Sequence, residues 1–218
     1  QGTSTSGTFS YADGTHTITA IATDEAGNTG LLTLSDIQVD TVAPSVDSLT
    51  SSSHASGSWV SNSDVALAWT GSDSLSGVAD YQIDNVSHGT NTSGTFAYAD
   101  GTHTITAIAT DEAGNVSAAL DLGIQIDTTG PNDVENFASS THSSGFWNAS
   151  PDVALDWDAS SDTHSGLDHY EINGTEVGNI LGHTLSGLAD GQHSITIVAV
   201  DALGNASNEV SISNILVD

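Results

Sequence analysis

Carboxylates carry most of the chemistry this sequence can do: 22 aspartates and 6 glutamates, with no lysine and no arginine to answer them. Six of the aspartates recur in matched places. Asp40 lies in IQVDTVAP and Asp127 in IQIDTTGP; Asp73 lies in GSDSLSG and Asp162 in SSDTHSG; Asp111 opens DEAGN and Asp201 opens DALGN. If the fold brings Asp40, Asp73 and Asp111 together, and likewise Asp127, Asp162 and Asp201, each trio is an all-oxygen ligand set. Such a set suits a hard cation, and Ca²⁺ accepts 6–8 oxygens in flexible geometry. The competing role is local. An aspartate that opens a Gly-Asn turn caps backbone N–H groups with its side chain and needs no ion.

The formal charge of −28 at pH 7 excludes several functions. Nucleic acid and anionic membrane surfaces both require Lys or Arg, so neither is a partner. The absence of cysteine removes disulfides, thiol chemistry and cysteine zinc sites. No apolar run approaches the roughly 20 residues of a membrane helix, so no direct membrane insertion is expected. Ser, His and Asp are plentiful, yet there is no nucleophile elbow and no distinctive carboxylate pair, so no catalytic residue is assigned.

Internal repetition decides how these residues are positioned. Residues 5–28 read TSGTFSYADGTHTITAIATDEAGN, and residues 92–115 repeat them with Ala97 in place of Ser10. A diverged copy, SGLADGQHSITIVAVDALGN, fills residues 186–205. The upstream half recurs as well: His54 to Trp59 matches His142 to Trp147, and DVALAW from Asp64 matches DVALDW from Asp152. Within a copy the period is two. Ile105, Ala107 and Ala109 share one face, as do Val65, Leu67 and Trp69, which predicts half-buried strands. Asp-Gly at Asp13, Asp100 and Asp190 marks tight turns. Many short strands and no helical period predict an all-β chain of tandem immunoglobulin-like β-sandwich domains, arranged end to end as a rod, with Trp69 and Trp157 between the sheets. The expected divisions are residues 1–41, the C-terminal half of a repeat whose upstream part is missing, and complete repeats at 42–128 and 129–218.

The run ITAIATDEAGN followed by IQVDTVAP resembles the bacterial Ig-like tandem repeats of giant surface adhesins secreted by type I systems. That resemblance covers two copies and a half. It implies non-enzymatic extender domains at the cell surface, outside the cell, with calcium stiffening the domain junctions. It also implies neighbouring repeats of the same long chain as partners, any surface ligand being bound elsewhere in the parent protein. Gly130 departs from the family's preferred alanine in the hinge, and Asp201-Ala-Leu-Gly-Asn205 departs from its Asp-Glu-Ala-Gly-Asn turn. Both copies keep the aspartate.

Two other assignments stand beside this one. Lateral association into a filament, sheath or surface layer is the alternative assembly. Glycan binding is the alternative function, with Trp59 and Trp147 offering aromatic faces beside glycines. The nine histidines include a repeated trio, His16, His103 and His193, and a repeated pair, His54 and His142. His164 and His169 lie closest together, yet no copy shows clear zinc-ligand spacing. Surface or strand-edge positions are expected. Six Asn-x-Ser/Thr sequons, at Asn85, Asn91, Asn115, Asn148, Asn173 and Asn205, are acceptor sites in form. Because trypsin cuts only after Lys or Arg, residues 1–218 should stay intact under trypsin even when unfolded in urea. Mass spectrometry of the digest checks this, and internal fragments would contradict it.

Overall fold

Where apolar and small polar side chains alternate, the chain forms strands. The computed structural model describes residues 5–218, and every regular element in them is β. Among the first residues, β1 (Gly14–Thr23) and β2 (Thr29–Val39) form an antiparallel hairpin. The next stretch contains β3 (Ser45–Ser51), β4 (Trp59–Val60), β5 (Asp64–Ser72), β6 (Val78–Ile83), β7 (Val86–Ser87), β8 (Ser93–Ala97), β9 (Gly101–Asp111) and β10 (Leu120–Ile126). The last contains β11 (Ala138–Ser139), β12 (Trp147–Asn148), β13 (Val153–Asp156), β14 (Leu167–Ile172), β15 (Thr175–Gly178), β16 (Gly182–Leu185), β17 (Gly191–Asp201) and β18 (Val210–Val217).

The sheets follow one plan in both copies. One set pairs as β3-β5-β8 and β4-β10-β9-β6-β7, the other as β11-β13-β16 and β12-β18-β17-β14-β15. In each, a two-residue strand runs parallel to the final one: Trp59 lies opposite Gln125, and Trp147 opposite Leu216. By compactness the chain divides into two units. The first comprises residues 1–52, 66–95 and 104–122, and the second residues 53–65, 96–103 and 123–218.

In the second unit one apolar cluster holds the sandwich. Val153, Leu155 and Trp157 come from the three-stranded side, and Tyr170, Ile172, Ile195, Ile197, Ala199, Ile215 and Val217 from the five-stranded side. Trp157 sits edge-on to Tyr170, ring centroids 5.4 Å apart. Each such aliphatic side chain contributes roughly 1.5–3 kcal/mol by leaving water. In the first unit the period-two expectation also holds: Leu67, Trp69, Tyr81, Ile83, Ile105, Ala107 and Ala109 are all buried. The fold is all-β and immunoglobulin-like. The Asp-Gly turns do not close hairpins; β8 and β9 on either side of Asp100-Gly101 belong to different sheets. Gly101 takes φ +131° there, a conformation that side chains with a Cβ rarely adopt.

The near-identical segments separate propensity from packing. Ile105, Ala107 and Ala109 in β9 are fully buried, whereas Ile18 in β1 is half-buried and Ala20 and Ala22 are exposed. Ser93–Ala97 pairs with β5, while residues 6–10, with almost the same sequence, form no strand. The same residues thus differ in burial according to whether a partner sheet lies against them. The hairpin also exposes Ile21, Leu31, Leu32 and Leu34. Ile105→Ala should therefore cost about 2–5 kcal/mol, as buried truncations do, and the equivalent Ile18→Ala about 1 kcal/mol or less. Urea unfolding of the two variants measures the difference.

Candidate cation-binding carboxylate clusters

Strand ends place five of the six aspartates. Asp40 directly follows β2, Asp73 directly follows β5, and Asp111 is the last residue of β9. Asp127 directly follows β10, Asp162 lies between β13 and β14, and Asp201 ends β17. The fold brings together the trios expected from sequence. Each of Asp40, Asp73 and Asp111 offers a carboxylate oxygen within 4.8 Å of the others, and so does each of Asp127, Asp162 and Asp201. The first trio lies within the first unit and the second within the second. Asp111, Asp127 and Asp201 are buried.

Backbone N–H groups supply most of the compensation. Asp111 accepts the Asn115 N–H on Oδ1 and the Asn115 side-chain amide on Oδ2, both at 2.8 Å. The exposed Asp24 accepts the same two bonds from Asn28, also at 2.8 Å. Capping is thus a property of the DEAGN turn itself and occurs without a cluster. The buried copies go further. The Asn115 amide also donates to the Asp40 carbonyl at 3.2 Å, and that of Asn205 to the Asp127 carbonyl at 3.1 Å. Each turn is thereby tied to its hinge.

The loop after β5 behaves likewise, with one exception. Asp73 Oδ1 accepts the N–H groups of Leu75 and Gly77 at 2.9 and 2.8 Å. Asp73 Oδ2 is buried and has no hydrogen-bond partner. A buried, unpartnered carboxylate oxygen is costly, and its residue is one of the three whose carboxylates suit a divalent ion. Asp40 is better served. The Ser76 hydroxyl and N–H donate to Oδ2 and the Val42 N–H to Oδ1. The Ser76 hydroxyl is the main reason that the Asp40 carboxyl is held below its ordinary range; partial burial opposes it, and the two N–H groups add to it.

Some of the site was not anticipated. Asp100 Oδ1 accepts the N–H and hydroxyl of Thr128 at 2.9 and 2.8 Å, and Asp13 does the same for Thr41 at 2.9 Å each. These bonds fix the residue that follows each hinge aspartate. The recurrence of Asp-Gly and of Asp-Thr at one spacing was the available signal. Asp100 and His164 also join Asp127 in a third ligand-competent group.

The histidine expectation needs correcting for one pair. His54 and His142 are buried rather than superficial, 1% and 2% exposed. Each clasps a loop: the Nε2 of His54 reaches the Asn62 carbonyl at 2.8 Å, and that of His142 the Ser150 carbonyl at 3.0 Å. Their Nδ1 atoms meet the hydroxyls of Ser53 and Thr141, so both rings are satisfied in place. His16, His103 and His193 are half-buried at strand starts, bonded to the carbonyls of Ala12, Ala99 and Ala189. Trp59 is half-buried against His164, and Trp147 is exposed.

Gly130 has a steric cause. A Cβ there would collide with the backbone carbonyl of Ala206. The first hinge carries Ala43 at this position, in an exposed place.

Residues 64–128 match the family model of the bacterial Ig-like domain. Those residues belong to a bacterial Ig-like domain. Chitinase A1 of Niallia circulans is 34% identical over 189 residues, 80% of this chain. The chain spans 26% of that protein's length. Among solved structures, a Ca²⁺-stabilized adhesin that helps an Antarctic bacterium reach out and bind ice is similar at 20% identity. That alignment covers 93% of this chain and 57% of that one, with a TM-score of 0.44. Fibronectin(III)-like modules of Clostridium thermocellum CbhA align at 15% identity over 78% of this chain and 94% of theirs, with a TM-score of 0.41. No helix among the described residues is long and apolar enough to cross a membrane.

Acid should reach Asp40 late. Its carboxyl is depressed in the folded chain, so the stability it contributes is complete above the ordinary aspartate range near 3.9 and is lost as pH falls through the lowered value. Ser76→Ala should raise the Asp40 midpoint toward that ordinary range, as read by carboxyl-carbon NMR. Gly130→Ala should destabilise the chain by about 1–3 kcal/mol, the usual range for overpacking; thermal melts check it.

Proposed function

We propose that this chain is a run of non-enzymatic, extracellular Ig-like extender repeats from a long bacterial surface adhesin. The repeats extend over residues 42–128 and 129–218, and residues 1–41 are the second half of a preceding one. Ca²⁺ binds at Asp40, Asp73 and Asp111, and again at Asp127, Asp162 and Asp201, stiffening each hinge against the loops that follow it. The observation that carries this reading is the pair of matched carboxylate trios, one of them holding the buried, unpartnered Asp73 Oδ2. The chain has no Lys or Arg to neutralise them, and a bound cation would do so. Backbone carbonyls and water would complete the coordination, and the millimolar calcium of extracellular fluid suits weak sites of this kind.

Glycan binding is the second reading, and a specific observation favours it. Phe146 and Trp147 are 71% and 63% exposed, and exposed aromatic rings of this sort stack on sugar rings. Binding of the chain to immobilised glycans, lost in Trp147→Ala, would support it. A flat response leaves the extender role alone.

Calcium is tested by melting. An ion at 100 times its dissociation constant adds about 2.7 kcal/mol if the unfolded chain does not bind it, roughly 5–10 °C in midpoint for a chain of this size. Melts in millimolar Ca²⁺ should therefore lie above those in EGTA, and Asp111→Ala should lose part of that gain. Superimposed curves would mean that the aspartates serve as turn residues only.

A further inference from the structure

The geometry points to a second kind of metal site, for a transition-metal dication such as Zn²⁺, built from Asp100, Asp127 and His164 in the last hinge. This goes beyond the calcium reading, because one ligand is nitrogen. Hard Ca²⁺ prefers oxygen, whereas imidazole suits Zn²⁺ and its neighbours. The three side chains each offer one ligand atom within 4.8 Å of the others. His164 Nδ1 stands 3.8 Å from Asp127 Oδ1, too long for a hydrogen bond. Two ligands on a tetrahedral zinc at about 2.0–2.1 Å are separated by roughly 3.3 Å, so a closure of about half an ångström would suffice.

The surroundings are arranged for such an ion. Asp127 is completely buried, and the His164 side chain is 27% exposed, which leaves one open side for water as a fourth ligand. The protein donors on Asp127 Oδ1 are distant, the Thr129 N–H at 3.3 Å and its hydroxyl at 3.5 Å; Oδ2 is taken by the Ser165 N–H at 2.9 Å. Asp100 is anchored through Oδ1 by Thr128. The Ser165 hydroxyl, on the residue that donates to Asp127, is buried with no partner, whereas Ser76, its counterpart, donates to Asp40. Trp59 covers the imidazole, ring centroids 5.6 Å apart, which restricts its orientation.

The chain contains its own control. At the first hinge Asp13 and Asp40 duplicate Asp100 and Asp127, and Asp13 holds Thr41 as Asp100 holds Thr128. Leu75 stands there in place of His164. The oxygen half of the site is therefore present twice, and the nitrogen ligand once.

Isothermal titration of the full chain with ZnCl₂ in millimolar CaCl₂ tests this. One zinc per chain is expected. His164→Leu, which installs the residue the first repeat already uses, should weaken binding at least tenfold, with calcium binding and the melting curve retained. Leu75→His should raise the stoichiometry to two. Zinc binding that survives His164→Leu would place the ion at other histidines and overturn the assignment. So would no heat at all.

Discussion

With no lysine or arginine in the chain, backbone N–H groups and the amides and hydroxyls of Asn, Ser and Thr are the main partners that its carboxylates find. The architecture follows from that constraint. Aspartates stand where strands end, because that is where N–H groups leave the ladder and can be captured. Asp73 and Asp162 each take two N–H groups of the next loop, and Asp111 and Asp201 each order a Gly-Asn turn. Hydrogen bonds to the charged form make these positions tolerable. They do not remove the charge, and three such groups meet at each hinge.

The same turn in three settings shows what belongs to the sequence and what to the fold. Asp24 and Asn28 make their bonds in an exposed hairpin, so the DEAGN turn forms without neighbours. Around Asp111 and Asp201 the same turn is buried, and its asparagine reaches a hinge carbonyl. Burial converts a capped turn into a clasp between segments distant in sequence. At the second hinge, Gly130 lets the backbone pack against Ala206 more closely than an alanine would allow.

Much of this was legible in advance. Period-two alternation located β5 and β9, and the repeat itself flagged the six aspartates as a recurring set. What escaped was whatever depends on the distance between loops. His54 and His142 looked like polar residues in a Ser-rich stretch, and only the fold shows each bridging to a carbonyl eight positions on. Asp100 looked like half of a tight turn, yet its side chain grips Thr128, 28 positions away. The sequence singled out His164 only through its nearness to His169, because its relation to Asp127 exists only once β10 and the loop before β14 are placed. Burial, too, was beyond sequence: the near-identical segments around Ile18 and Ile105 differ in packing, not in residues.

The central claim is that each aspartate trio binds one divalent cation, with the unpartnered oxygen of Asp73 as a ligand in the first. Calcium titration calorimetry on the full chain measures that directly. Two ions per chain are expected for the natural sequence, one for Asp73→Ala, and one for Asp162→Ala. A stoichiometry that neither substitution changes, or an absence of binding at millimolar calcium, would contradict it.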